Sequence, residues 1–124
     1  MKFYRCDHCG NIVTFVHSAG VPVMCCGQKM QELVPGTTDA AQEKHVPVVS
    51  VNGNEVTVKV GEVAHPMLEE HYIEWIALEC AKGNQRKELK PGMAPEVKFM
   101  LTDDDSVIAA YAFCNLHGLW KSAN

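Results

Sequence analysis

Four of the six cysteines fall within the first 36 residues, as Cys6-Asp7-His8-Cys9 and the adjacent pair Cys25-Cys26. That stretch carries little apolar mass, and a segment so short rarely folds without a staple. Each knuckle turns two sulfurs to one side, so the two together can close a tetrahedron around one metal ion. Gly10 and Gly27 supply the backbone freedom that such turns require. Side chains at consecutive positions diverge, so Cys25-Cys26 predicts a distorted tetrahedron. Zinc and iron both accept four thiolates, and spacing does not choose between them. A structural zinc that only holds the segment folded is the plain alternative to a redox iron.

The chain opens Met1-Lys2-Phe3-Tyr4-Arg5-Cys6, without the apolar core of a secretory signal. No apolar run approaches the ~20 residues of a membrane span. The expected compartment is the cytoplasm, where cysteines serve as metal ligands before they form disulfides. The formal net charge is -4 and there is no Lys/Arg-rich run. Nucleic acid needs a basic footprint, so it is excluded as a partner, and an anionic membrane surface is excluded with it.

Composition shifts near Pro35-Gly36. The sequence therefore divides into a small metal-binding domain, residues 1–36, and a larger domain, residues 37–124. Residues 37–44 read as a polar linker. Beyond it, Val46–Val51 and the alternating Glu55–Val60 flank Asn52-Gly53, a strong hairpin signal. His71–Cys80, Glu96–Thr102 and Val107–Phe113 read as further strands, and no segment carries a 3.6-residue apolar stripe. Short antiparallel strands with polar turns predict an all-β chain whose main domain is a sandwich. Cys80 closes a strand and reads as a buried packing residue. His8 and His17 are given no role.

Five further residues stand apart: His45, His65, His71, Cys114 and His117. His45 precedes the first strand, and His65 is followed by Pro66, which places it in a loop. His71 opens the long strand, and Cys114 and His117 follow the last one. Such positions converge at one end of a sandwich, where loops carry function on a rigid frame. A closed zinc site needs four ligands, so five point to a five-coordinate iron with one open face.

Charge separates the two sites. Four thiolates leave either oxidation state of iron net negative, which repels anions. Four neutral imidazoles and one thiolate leave it net positive, which attracts a small anionic oxidant. Lys44, next to His45, is placed to steer that anion, and Glu43 is a carboxylate ligand in waiting for the oxidised metal. Both could instead be a solvated linker pair. A closed electron carrier and a zinc-stapled interaction module are the competing readings. A non-haem oxygenase prefers two histidines and one carboxylate, and the cysteine in this set counts against it.

The residues resemble desulfoferrodoxin, the two-iron class of superoxide reductase, along essentially the whole chain. Tyr4-x-Cys6-x-x-Cys9-Gly10 and Cys25-Cys26-Gly27 look like the desulforedoxin module. Glu43-Lys44-His45-Val46-Pro47, His65-Pro66-Met67, Glu70-His71-Tyr72-Ile73 and Cys114-Asn115-Leu116-His117-Gly118 look like the neelaredoxin-type catalytic domain. The resemblance implies a desulforedoxin-like domain followed by an immunoglobulin-like antiparallel β-sandwich. It implies two irons per chain. One is an Fe(Cys)4 centre on Cys6, Cys9, Cys25 and Cys26. The other is an Fe(His)4(Cys) centre with His45, His65, His71 and His117 equatorial and Cys114 axial. It also implies a homodimer and reduction of superoxide to hydrogen peroxide. That reduction would serve detoxification under oxidative stress, with electron transport from a donor such as rubredoxin.

Overall fold

The structure, a computed structural model, describes residues 1–123, and the chain forms two compact units, Met1–Val34 and Pro35–Asn124. The division falls immediately before Pro35-Gly36, two residues ahead of the boundary expected between residues 36 and 37.

In the smaller unit, β1 (Phe3–Arg5) is flanked by β2 (Ile12–Thr14) and β5 (Gln31–Leu33), both antiparallel to it. A separate hairpin joins β3 (Met24–Cys25) to β4 (Gln28–Lys29). Its two-residue loop is Cys26-Gly27, with φ of 52° and 72°. Two positive φ values are what a type I′ hairpin turn demands. Cys26 thus takes a left-handed backbone, which a non-glycine residue adopts at a cost of about 1–2 kcal/mol. That rotation resolves the difficulty of the adjacent pair: the turn between Cys25 and Cys26 brings two neighbouring thiols to the same side. Phe3, Cys6 and Met30 are buried here, a core too small to hold the unit without a metal.

The larger unit begins with a single helical turn, α1 (Gln42–His45), where the sequence reads as linker. Four residues are too few to show a helical period. Two antiparallel sheets follow. One is ordered β10-β7-β6, from β6 (Pro47–Asn52), β7 (Glu55–Val60) and β10 (Glu96–Met100). The other is ordered β12-β11-β8-β9, from β8 (Ile73–Cys80), β9 (Gly83–Glu88), β11 (Val107–Cys114) and β12 (Gly118–Lys121).

Strand alternation sets what faces inward. Val56, Val58 and Val60 on β7, with Val97 and Phe99 on β10, meet Ile76, Leu78 and Cys80 on β8 and Ala110, Ala112 and Cys114 on β11. This is the core of an immunoglobulin-like β-sandwich. Cys114 is therefore the last inward residue of its strand, not a loop residue, and it is fully buried. The β6–β7 turn also differs by one position from the Asn52-Gly53 reading. Asn52 pairs with Glu55, so Gly53-Asn54 form the loop, with Gly53 at φ 62° in the first place, as a type II′ turn requires. β9 is not among the strands expected from sequence because it is polar on both faces, but it pairs with β8 along its length as a charged edge strand.

Candidate metal centres

The four sulfurs of Cys6, Cys9, Cys25 and Cys26 lie within 4.8 Å of one another. Cys9 and Cys25 are 3.7 Å apart, and Cys25 and Cys26 are 4.0 Å apart. Backbone N–H groups already point at the sulfurs: Cys9 donates to Cys6 Sγ and Asn11 to Cys9 Sγ, each at 3.5 Å. The Asn11 carboxamide donates to Cys25 Sγ at 3.6 Å. The hydrogen bond from the Cys9 N–H holds the Cys6 thiol down at about 6. Hydrogen bonds shared with Cys9 and Cys6 push Cys26 up to about 12, and Cys25 is raised for the same reason. Without a cation the set resists a second and third negative charge, and a metal ion removes that resistance.

The second cluster forms at one end of the sandwich. The ligand atoms of His45, His65, His71 and Cys114 all lie within 4.8 Å of one another. His117 joins them, its Nδ1 3.1 Å from His45 Nε2 and 3.9 Å from Cys114 Sγ. Local structure fixes each ring. His45 Nδ1 donates to the Ala41 carbonyl at 2.7 Å, the first residue before α1. His65 Nδ1 donates to the Pro66 carbonyl at 2.6 Å. A carbonyl can only accept, so both rings carry their proton on Nδ1 and present a bare Nε2 inward. Those two Nε2 atoms are 3.2 Å apart, lone pair against lone pair. His71 Nε2 is buried with no hydrogen-bond partner. Unsatisfied nitrogens aimed at one point are what a cation would satisfy, and the donor set fits a metal.

Burial tunes the same atoms. It pushes His65 down to about 4, and it lowers His45 and His71, with the Lys44 ammonium adding to both. These three imidazoles are therefore neutral, as ligands must be. Burial pushes the Cys114 thiol up. His45, His65 and Cys114 are buried, whereas His71 and His117 are half-exposed. Solvent reaches the cluster on the side of those last two rings.

Glu43 and Lys44 are exposed on α1, immediately before His45. Gly61 seats this turn. Its N–H donates to the Val46 carbonyl at 3.1 Å, and a Cβ there would meet the carbonyl oxygens of Lys44 at 2.7 Å and Glu43 at 2.8 Å. Glu43's own carbonyl accepts from Val63 N–H at 3.0 Å.

All nine metal-ligand residues singled out in sequence thus fall into two clusters. His8 and His17 lie exposed, and Cys80 is in the core. Two contributors escaped sequence reasoning. Trp120 packs its ring on His45, and Asn115 bonds the segment that carries His71. Their only signal was adjacency to Cys114 and His117.

An antiparallel sandwich bearing four imidazoles and a buried thiol, in one chain with a four-cysteine unit, defines a protein with two non-haem metal centres. Residues 37–123 match the family described as Desulfoferrodoxin, and residues 1–33 match Desulfoferrodoxin, N-terminal domain. The chain belongs to the desulfoferrodoxin family, and its two clusters fit the two iron centres of such a protein. It is 50% identical to a desulfoferrodoxin homolog of Archaeoglobus fulgidus, over 98% of this chain and 96% of that one. It is 48% identical to the desulfoferrodoxin of Nitratidesulfovibrio vulgaris, over 98% and 94%. The crystal structure of the superoxide reductase from Treponema pallidum superposes with a TM-score of 0.83 at 50% identity, covering 98% of this chain and 97% of that one.

Proposed function

We propose that this chain is a superoxide reductase, catalysing the reaction of superoxide with one electron and two protons to give hydrogen peroxide. The observation that carries the reading is the convergence of His45 Nε2, His65 Nε2, the unpartnered His71 Nε2, His117 Nδ1 and Cys114 Sγ on one point. The relatives named above support it. Iron held by these five residues would supply the single electron, and the thiolate would raise electron density on the metal.

The chain's own residues do the rest. Lys44 draws the anion toward the half-exposed side bounded by His71 and His117, against a net charge of -4. The burial of Cys114 and His65 closes the other side. Protons come from solvent on the open side, where Lys44 holds water. Glu43, on the same turn, would supply a carboxylate ligand to the oxidised metal.

Residues 1–36 act as the Fe(Cys)4 domain and residues 37–124 as the catalytic domain. Each turnover consumes one electron, so a donor is obligatory, and a rubredoxin-like protein fills that place in a cytoplasmic homodimer. None of the six cysteines is paired in a disulfide, which leaves them available as metal ligands. Among the described residues, no helix is long and apolar enough to cross a membrane.

The test is metal content and visible spectrum, followed by superoxide consumption with a reductant in excess. The expected result is two irons per chain, a thiolate-to-iron band that develops at the second site on oxidation, and peroxide formed without evolution of dioxygen. A colourless zinc protein that iron does not reconstitute would overturn it.

A further inference from the structure

Three of the five second-site residues are held by contacts at or next to the ring. His45 and His65 are fixed by carbonyls on Nδ1, and Trp120 donates to the carbonyl of His117 at 3.0 Å. His71 is held differently. Its Nε2 has no partner, and the bonds that place it are made to the main chain of its own segment.

His71 and Leu68 exchange both backbone hydrogen bonds, at 2.9 and 3.1 Å, as an isolated bridge. Asn115 bonds the residues on both sides of His71. Asn115 N–H donates to the Tyr72 carbonyl at 3.2 Å. Asn115 Oδ1 accepts from the Tyr72 N–H at 2.9 Å, and Asn115 Nδ2 donates to the Glu70 carbonyl at 3.1 Å. The amide orientation is unambiguous, because a backbone N–H only donates and a carbonyl only accepts.

The ladder explains why a side chain is needed. β11 and β8 pair regularly from Ala109 with Glu79 to Phe113 with Trp75, and then the register shifts, so that Cys114 faces Ile73. The next pair is Asn115 with Tyr72. A regular antiparallel pair would exchange two backbone bonds. Here the chain turns away into the three-residue loop toward Gly118, and the Asn115 side-chain carbonyl takes the place of its backbone carbonyl. The spare N–H of the same carboxamide then reaches past His71 to Glu70.

We infer that Asn115 is a positioning residue for the second centre: its carboxamide brackets His71 from both sides and ties that segment to the hairpin bearing Cys114 and His117. It thereby links three metal-binding side chains that come from two separate stretches of sequence. The inference rests on the reading of His71 as a metal ligand. Asn115 itself is exposed, so its substitution leaves the core packing untouched.

The experiment uses the full-length, iron-loaded protein and two variants. Asn115→Ala removes both side-chain bonds. Asn115→Asp keeps the acceptor for Tyr72 N–H but sets an oxygen against the Glu70 carbonyl. Three quantities are read: the rate of second-site iron loss to a chelator, the position of the second-site thiolate-to-iron band, and the tryptophan-detected unfolding temperature. Iron in the four-cysteine unit is the internal reference.

Asn115→Ala is expected to release second-site iron roughly tenfold faster or more, with a displaced band and an unchanged four-sulfur spectrum. Asn115→Asp is expected to fall between Asn115→Ala and the unsubstituted protein. A purely structural role would lower the unfolding temperature without moving the band, and that result overturns the inference. So does a band in place with release within twofold of the unsubstituted protein in both variants. Should Asn115→Ala fail to fold, Asn115→Asp decides on the same readouts. An unsubstituted protein with no second-site band would instead overturn the metal reading, and this inference with it.

Discussion

Trp120 lies against His45, with ring centroids 4.9 Å apart and planes inclined by 30°, and the same indole donates to the carbonyl of His117 at 3.0 Å. One side chain on β12 therefore supports two of the imidazoles. Trp120→Phe keeps an aromatic face on His45 and removes the N–H bond. A partly buried hydrogen bond contributes about 1 kcal/mol, which corresponds to a fall of roughly 4–8 °C in unfolding temperature for a unit of this size. Calorimetry of the metal-free protein measures it. A chelator assay should also show weaker retention of second-site iron, and unchanged values in both would mean that the indole only fills space.

Gly61 adopts φ 86° directly beneath the turn that carries Glu43, Lys44 and His45. A methyl group there collides with backbone carbonyl oxygens of Glu43, Lys44 and Val63, none of which can swing aside as a side chain would. The left-handed backbone alone costs an alanine about 1–2 kcal/mol. Gly61→Ala should therefore destabilise the larger unit by roughly 2–4 kcal/mol or displace the turn. In either case the protein should keep its four-cysteine iron and lose the other. Iron stoichiometry with a urea titration decides it, and two firmly bound irons would show that the turn adapts.

The metal-free larger unit should lose stability as the solution is acidified below neutrality. Burial holds His65 down at about 4 and lowers His45 and His71 in the folded state, whereas an unfolded histidine titrates near 6.5. Between those values the unfolded chain binds more protons, so stability rises with pH and falls as pH drops from about 6.5 to 4. The full His65 shift corresponds to roughly 3 kcal/mol, and screening at this partly open cluster reduces it to about 1–2 kcal/mol. Urea midpoints of the apoprotein at several pH values measure the slope. A flat profile across that window would contradict the buried, neutral imidazoles.

Lys44→Ala should slow the capture of superoxide while both metals stay bound. Lys44 is exposed, yet its charge is felt at His45 and His71. Removing one steering charge should cut the bimolecular rate by about three- to tenfold at low salt and flatten its dependence on ionic strength. Pulse radiolysis or stopped flow at two salt concentrations reads both effects. An unchanged rate and an unchanged salt slope would remove Lys44 from the steering role.

Most of the sandwich was legible because its strands alternate: Val56, Val58 and Val60 against Thr57 and Lys59 leave one choice of inward face. The metal ligands were legible because few residue types bind metals and these nine have little other reason to be present. What escaped has physical causes. β9 is held by backbone pairing to β8 and has no apolar side to display. α1 is a single turn fixed by the Gly61 contact rather than by its own sequence. The Cys25-Cys26 geometry depends on a positive φ at Cys26, a backbone state that residue identity seldom announces. Asn115 and Trp120 act through bonds to main chain, and the atoms they meet come from anywhere in the sequence.

Cys114 should reveal itself through protons. Burial pushes its thiol above the ordinary value in the metal-free protein, so at pH 7 it is protonated, and it can bind a metal only by releasing that proton. His45, His65 and His71 give up none, because burial already keeps them neutral. Filling the second site of the protein with ferrous ion should therefore expel about one proton, and Cys114→Ser should expel about one fewer. The variant should also lose the second-site thiolate-to-iron band while the four-cysteine spectrum persists. A hydroxyl at a fully buried position with no new partner costs about 1–3 kcal/mol, so the variant should unfold earlier but still fold. Titration calorimetry in two buffers of different ionisation enthalpy counts the protons. An equal count in both proteins, or loss of both bands together, would mean that Cys114 is not the ligand that sets this centre apart from the other.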